Sequence, residues 1–219
     1  MFQPSTLTFL KALKKNNNRD WFEKNRGKYE EALEDYKSFV GKLITEFSKI
    51  NPGVKDLEVK NCVFRIYRDV RFSKNKEPYK PNFGASITEG GRKSPKAGFY
   101  FHLEPGTENF IGGGCWMPES ELLKKIRQEI DYNFKDFQKI VNDKNFKKHF
   151  SDLSDYKLKT TPKGYSSDHP GIEYLKQTSF IIGEQLKDED LLSKSLLKKC
   201  TATYQAMMPM LKFLNTAME

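Results

Sequence analysis

The chain reads as an α+β protein, a central antiparallel sheet of about four strands with N-terminal and C-terminal helices packed on it. Three observations predict this. Apolar residues recur at helical spacing near both ends, they alternate with polar residues in the middle, and turn signals separate the alternating runs. The chain has 219 residues, enough for a core without covalent staples, and is expected to form one domain over 1–219.

Taken in order, Ser5 or Thr6 can cap a first helix with Leu7, Leu10 and Leu13 on one stripe. Asn16-Asn17-Asn18 marks a turn, and Asp20 with Glu23 reads as a capping-box variant opening the next helical region. Its apolar stripe is Tyr29, Leu33, Tyr36, Val40, Leu43, Ile44 and Phe47, and Asn51-Pro52-Gly53 stops it. From Leu57 the period shortens. Cys62, Phe64, Ile66 and Val70 alternate with Val63, Arg65, Tyr67, Asp69 and Arg71, which predicts a strand. Further strands are expected over 83–88, 98–104 and 109–116, the last two flanking the hairpin signal Pro105-Gly106.

Pro118 suits the first turn of a helix carrying Leu122, Leu123, Ile126 and Ile130, and another follows near Phe134, Phe137, Ile140 and Val141. Residues 151–171 are turn-rich, and Ser179 to Ile182 can add a short strand. Asp188 can start the last helix, which Pro209 should kink or end.

Charge is concentrated. The net charge is +9, of which residues 60–96 carry +7 with ten basic and three acidic side chains, while residues 97–219 are neutral. A local positive field draws phosphates, carboxylates, nucleic acid or an acidic partner. The same residues can also be a solvated Lys/Arg surface. Cys62, Cys115 and Cys200 are widely spaced with no CxxC pair, so reduced thiols in a cytoplasmic protein are expected. The opening Met1-Phe2-Gln3-Pro4 runs into a polar helix pattern without the apolar stretch of a secretion signal. No run reaches the roughly 18 apolar residues of a membrane span, so no membrane partner is expected.

Chemistry-bearing residues are densest between Phe64 and Lys80. On a strand, Arg65, Tyr67, Asp69 and Arg71 share one face, and Asp69 can hold both guanidiniums as a fork for phosphate or carboxylate. Arg68 falls on the opposite, mostly apolar face with Phe64 and Phe72, and needs a carboxylate or carbonyl partner there. The expected anion-binding set is Arg65, Tyr67, Arg68, Asp69, Arg71, Lys76 and Tyr79. Arg92, Lys93, His102, Lys163, Asp168 and His169 are candidates for its rim. An ion-pair network that merely secures the fold is the competing reading of the same residues.

Other features are weaker. Gly112-Gly113-Gly114 precedes a helix, but neither GxxxxGK[ST] nor GxGxxG is present, so a bulged edge strand admitting a neighbour is favoured. Asp168 can orient His169 as a general base or cap the next helix. His102 shares a strand face with Tyr100 and Glu104. Ligand spacing for a metal is missing, and no cofactor or metal is expected.

The stretch from Arg65 to Tyr79 resembles the signature RxxRDxRFxx[DN]KxxY of the bacterial DUF2461 family, with Arg65, Arg68, Asp69, Arg71, Phe72, Asn75, Lys76 and Tyr79 all at motif positions. Familial segments also include Asn17 to Phe22, Gly90 to Pro95, Gly112 to Gly114, Pro162 to Tyr165 and Asp168 to Pro170. The resemblance implies a shared domain of unknown function and brings no catalytic residues with it. Three functions remain: an anionic small molecule held by the arginines, with or without turnover; a nucleic-acid-binding module; or a structural or partner-binding protein. No motif speaks to oligomeric state.

Overall fold

The computed structural model describes residues 1–106 and 108–219. Helix α1 spans Pro4–Lys15 and buries Leu7, Leu10 and Leu13 as the stripe predicts. Its N-cap is Gln3, not Ser5 or Thr6, because Pro4 takes the first helical position, where a missing N–H costs nothing. The Thr6 hydroxyl instead donates to Asp35 at 2.6 Å. Helix α2, Arg19–Lys24, is capped by the Asn18 side chain, which accepts from the Trp21 amide. The cap therefore lies two residues before Asp20. Helix α3, Arg26–Ser48, buries Tyr36, Val40, Leu43, Ile44 and Phe47, and a 3-10 turn at Pro52–Val54 ends the region at the expected stop.

Strands β1 (Phe83–Ile87), β2 (Gly98–Leu103), β3 (Phe110–Cys115) and β4 (Phe180–Gln185) form an antiparallel sheet in the order β1-β2-β3-β4. The class and strand number agree with the sequence, but one member differs. Residues 62–71 are not a strand. Helix α4, Val59–Cys62, precedes them, and only two isolated antiparallel bridges form, Val63 with Ala85 and Tyr67 with Tyr79. Those bridges are out of register by two residues, so extra residues accumulate between Tyr79 and Ala85. Pro78 and Pro81 flank that side and have no N–H for a ladder. The fourth strand is β4, where only a short one was expected.

Helices α5 (Ser120–Tyr132) and α6 (Phe134–Asn142) follow β3. Glu119 is the N-cap of α5, so Pro118 lies just outside the helix. Asp143 caps a further helix, α7 (Lys144–His149), and α8 is Ile172–Leu175. Asp188 opens only α9, Asp188–Leu191. The last helix, α10, is Leu196–Met218 and continues through Pro209.

Backbone contacts divide the chain into two compact units. The first holds Met1–Lys93, Tyr100–Ile111 and Gln185–Ala202, and the second holds Ser94–Phe99, Gly112–Glu184 and Thr203–Glu219. In the first, Phe2 packs on Phe39 at 4.7 Å, and the Tyr36 hydroxyl donates to the Phe101 carbonyl at 3.0 Å. In the second, Phe99 meets Tyr204 edge-on at 5.9 Å, and Phe137 lies 5.2 Å from Phe213. Edge-on and tilted rings satisfy the aromatic quadrupole while burying large area.

Candidate functional site

The motif lies in the first unit as a folded-back segment. The Arg68 amide donates to the Pro78 carbonyl at 2.9 Å, and the Lys80 amide donates to the Ile66 carbonyl at 2.8 Å. Asn17 clamps the returning arm: its side chain accepts from the Tyr79 amide at 3.1 Å and donates to the Tyr79 carbonyl at 2.9 Å. That side-chain amide replaces a missing ladder partner. Phe22 stacks on the Tyr79 ring at 3.9 Å and 13°. Two familial segments, 17–22 and 65–79, thus meet at one tyrosine. Tyr79 is buried and structural, while Tyr67 beside it is exposed.

Arg65, Tyr67, Asp69 and Arg71 are all exposed, so the predicted face survives the loss of the strand. Phe72 departs from expectation. It is 97% exposed, with the Arg71 guanidinium 5.9 Å from its ring, because the chain leaves the partner arm after Asp69.

The cations divide into two groups. Arg71 forms a fork to Asp69, at 3.0 Å through Nε and 2.7 Å through Nη2. These bonds hold the Asp69 carboxyl below its ordinary value. Half-buried Arg68 has Glu77 at 3.5 Å and donates to Ser73 at 3.4 Å. The Lys76 ammonium donates to the Val70 carbonyl at 3.0 Å. Arg65 and Lys80 differ: among the described residues neither side chain has an ion pair or a hydrogen bond. Lys80 is half-buried, with its ammonium 5.7 Å from the Phe64 ring. Burial first, and the nearby Arg65 charge second, lower its pKa. Sequence reasoning passed over Lys80 because it follows a proline turn, and its nearness to Arg65 depends on the fold-back.

The rim candidates of the first unit have other surroundings. The Arg92 guanidinium donates to the Lys60 carbonyl, and its amide to the Asn61 carbonyl at 2.9 Å, so Arg92 closes the end of α4. Gly91 allows this with φ 82°, and a Cβ there would stand 3.0 Å from the Asn61 carbonyl. Lys93 is exposed. His102 belongs to a polar row on β2 and its continuation. Its Nδ1 is 3.1 Å from the Tyr100 hydroxyl and its Nε2 3.4 Å from Glu104. Glu104 also accepts from Lys14 at 2.7 Å and Asn82 at 3.3 Å.

Lys163, Asp168 and His169 belong to the second unit. Lys163 and Asp168 are exposed. The carboxylate beside His169 is Asp131, 3.0 Å from Nε2, and not Asp168. The Gly171 amide donates to His169 Nδ1 at 2.9 Å. That bond occupies the lone pair a general base would use. The triple glycine lies on β3, an inner strand of the sheet and not an edge. A Cβ on Gly112 would stand 2.6 Å from the Ile182 carbonyl, so the glycines admit neighbours. All three cysteines are buried, and burial pushes the Cys62 and Cys115 thiols up to about 11, far from nucleophile behaviour.

Fold and site together define an α+β protein with a cation-rich folded-back segment tied to its N-terminal helices. The chain belongs to the family described as conserved hypothetical protein, DUF2461, whose sequence profile matches residues 5–213. No curated protein and no solved structure matches it. Among the described residues no helix is long and apolar enough to cross a membrane, and no three His, Cys, Asp or Glu side chains gather as metal ligands.

Proposed function

We propose that the protein binds an anionic small molecule, phosphorylated or carboxylated, at Arg65 and Lys80. The observation that carries this reading is two neighbouring cations that form no ion pair among the described residues, in a segment whose other arginines each have one; the Asp69 carboxylate, forked to Arg71, feels Arg65 only at longer range. Like charges held together repel, and a half-buried ammonium loses hydration. A bound anion offsets both costs at once. Tyr67 is exposed on the same face as Arg65, and Arg71, still exposed beyond its fork to Asp69, extends the field. Tyr79, Asn17 and Phe22 fix the arm on which Lys80 sits. The three buried free thiols support a cytoplasmic setting. The family profile runs through both units, which supports reading the whole chain as one domain.

The test is thermal denaturation with inorganic phosphate, pyrophosphate and citrate at low salt. Saturating a single site at about 100 Kd stabilises by about 2.7 kcal/mol, a rise of roughly 5–10 °C for a chain of this size. The double variant R65A/K80A should lose the rise and remain folded. An equal rise in variant and wild type places the anion elsewhere.

Phe72 favours a second reading. A fully exposed ring beside Arg71, in a segment that also carries Lys74 and Lys76, can stack a base while the cations meet phosphates, which is the nucleic-acid alternative. It predicts oligonucleotide binding that weakens steeply with salt and is lost in F72A.

A further inference from the structure

The row Tyr100, His102 and Glu104 contains three polar side chains on one face of consecutive alternate positions, all in the first unit. Its bonding order follows from Glu104. Burial pushes that carboxyl up, but the bonded Lys14, His102 and Asn82 outweigh burial and hold it below the ordinary value. Glu104 is therefore an acceptor only, and the His102 proton sits on Nε2, facing it at 3.4 Å. Nδ1 is left with its lone pair, and the Tyr100 hydroxyl donates to it at 3.1 Å. Burial lowers the His102 pKa, with Glu104 and then Glu108 pulling it partly back, which keeps the ring neutral and able to accept. Phe110 stacks on the imidazole at 5.0 Å and 16°, so the ring is held flat between its two partners. Hydroxyl, imidazole and carboxylate stand in the order that activates a hydroxyl in hydrolytic triads.

The hydroxyl lies close against the β1 backbone, and burial pushes its pKa up to about 12. Gly84 faces it, and a Cβ there would come within 2.6 Å of the Tyr100 oxygen. The Tyr100 ring is half-buried and lies 6.2 Å edge-on from Phe64, and the Lys80 ammonium lies 5.7 Å from the Phe64 ring.

We propose that Tyr100, His102 and Glu104 form a proton relay that serves an anionic substrate bearing an exchangeable proton. Tyr100 is the group that meets substrate. Its oxygen takes a proton from the substrate group X–H while its own proton passes to His102 Nδ1, leaving X⁻ and an imidazolium paired with Glu104. Reversal returns the proton, so the step needs no further reactant. His102 acts through Tyr100, and Glu104 positions His102. The inference deepens the anion-binding reading and rests on it only for the charge of the substrate.

The relay is tested with an arylsulfonyl fluoride as probe, read by peptide mass spectrometry. The phenol oxygen bonds to sulfur, fluoride leaves, and the phenol proton goes to His102. In wild type, labelling of Tyr100 should be flat above the His102 midpoint and fall below it, at a pH under the ordinary histidine value of about 6.5. N-acetyltyrosinamide supplies the contrast, since an unassisted phenol labels about tenfold faster per pH unit up to about pH 10. The variant H102F should lower the Tyr100 rate by roughly 10²-fold while keeping the phosphate-dependent thermal rise, so loss of the relay is distinguishable from loss of anion binding. A Tyr100 rate that tracks phenol ionisation as N-acetyltyrosinamide does, an unlabelled Tyr100, or a rate unchanged in H102F overturns the proposal.

Discussion

Arg68 and Arg71 lie only three and six residues beyond Arg65, yet their situations are opposite. Arg71 grips Asp69 with two short bonds and Arg68 faces Glu77, whereas Arg65 and the returning Lys80 are neighbours with no ion pair among the described residues, Asp69 acting on Arg65 only at longer range. The first pair is electrically closed and the second is open. Net charge alone does not distinguish them, since all four residues contribute equally to the +7 of the segment. What separates them is local. Acidic residues at 69 and 77 are bonded within the turn, and among the described residues none forms an ion pair with Arg65 or Lys80.

The largest effect should come from the scaffold on which the open pair stands. Tyr79→Ala removes a buried ring stacked on Phe22 and should cost about 3–5 kcal/mol, as other buried aromatic truncations do. Chemical denaturation checks this, and a loss under about 1 kcal/mol would mean the arm is held by something other than that stack.

Lys80→Met comes next and has the opposite sign. Folding lowers the Lys80 pKa, so the folded state binds that proton more weakly than the unfolded chain. The resulting penalty is full at neutral pH. It fades as pH rises from the lowered value through the ordinary 10.5. Lys80→Met should therefore melt slightly higher than wild type at pH 7 without added anion, and show no rise with phosphate. The gap between the two melting curves should close as pH approaches 10.5.

Glu77→Gln tests the closed pair. The Arg68–Glu77 separation of 3.5 Å and the exposure of Glu77 limit the loss to under about 1 kcal/mol. Phosphate binding should persist. The smallest structural effect should follow Asp69→Asn, because both partners of that fork are exposed. Freeing Arg71 adds an open cation, so phosphate should bind more tightly while the melting temperature hardly moves. Titration at two salt concentrations checks this, since an exposed cation's contribution fades as screening increases.

Helix α3 was legible because one apolar stripe, Tyr29 to Phe47, runs nearly the whole length of this 23-residue helix, which no strand pattern imitates. The exposure of Arg65, Tyr67, Asp69 and Arg71 was legible for the same reason that the strand was misread. Alternation reports which face meets solvent, but a ladder also needs a partner able to donate, and Pro78 and Pro81 are not. The row Tyr100, His102 and Glu104 could be read from alternation alone. The Asn17 clamp on Tyr79 and the Asp131 partner of His169 could not, since each joins residues far apart in sequence with no local pattern to announce them. Sequence placed a carboxylate beside His169 and chose the adjacent Asp168. The fold instead supplied Asp131 and a backbone amide that uses the remaining nitrogen. His102 and His169 thus share a carboxylate at Nε2 and differ at Nδ1, and only His102 has a hydroxyl there.

Calorimetric titration of pyrophosphate at low salt into wild type, R65A/K80A and R68A compares the open and closed pairs directly. The open-pair account predicts saturable one-site heat in wild type and R68A and none in R65A/K80A. Undiminished heat in R65A/K80A, or its disappearance in a folded R68A alone, would contradict it.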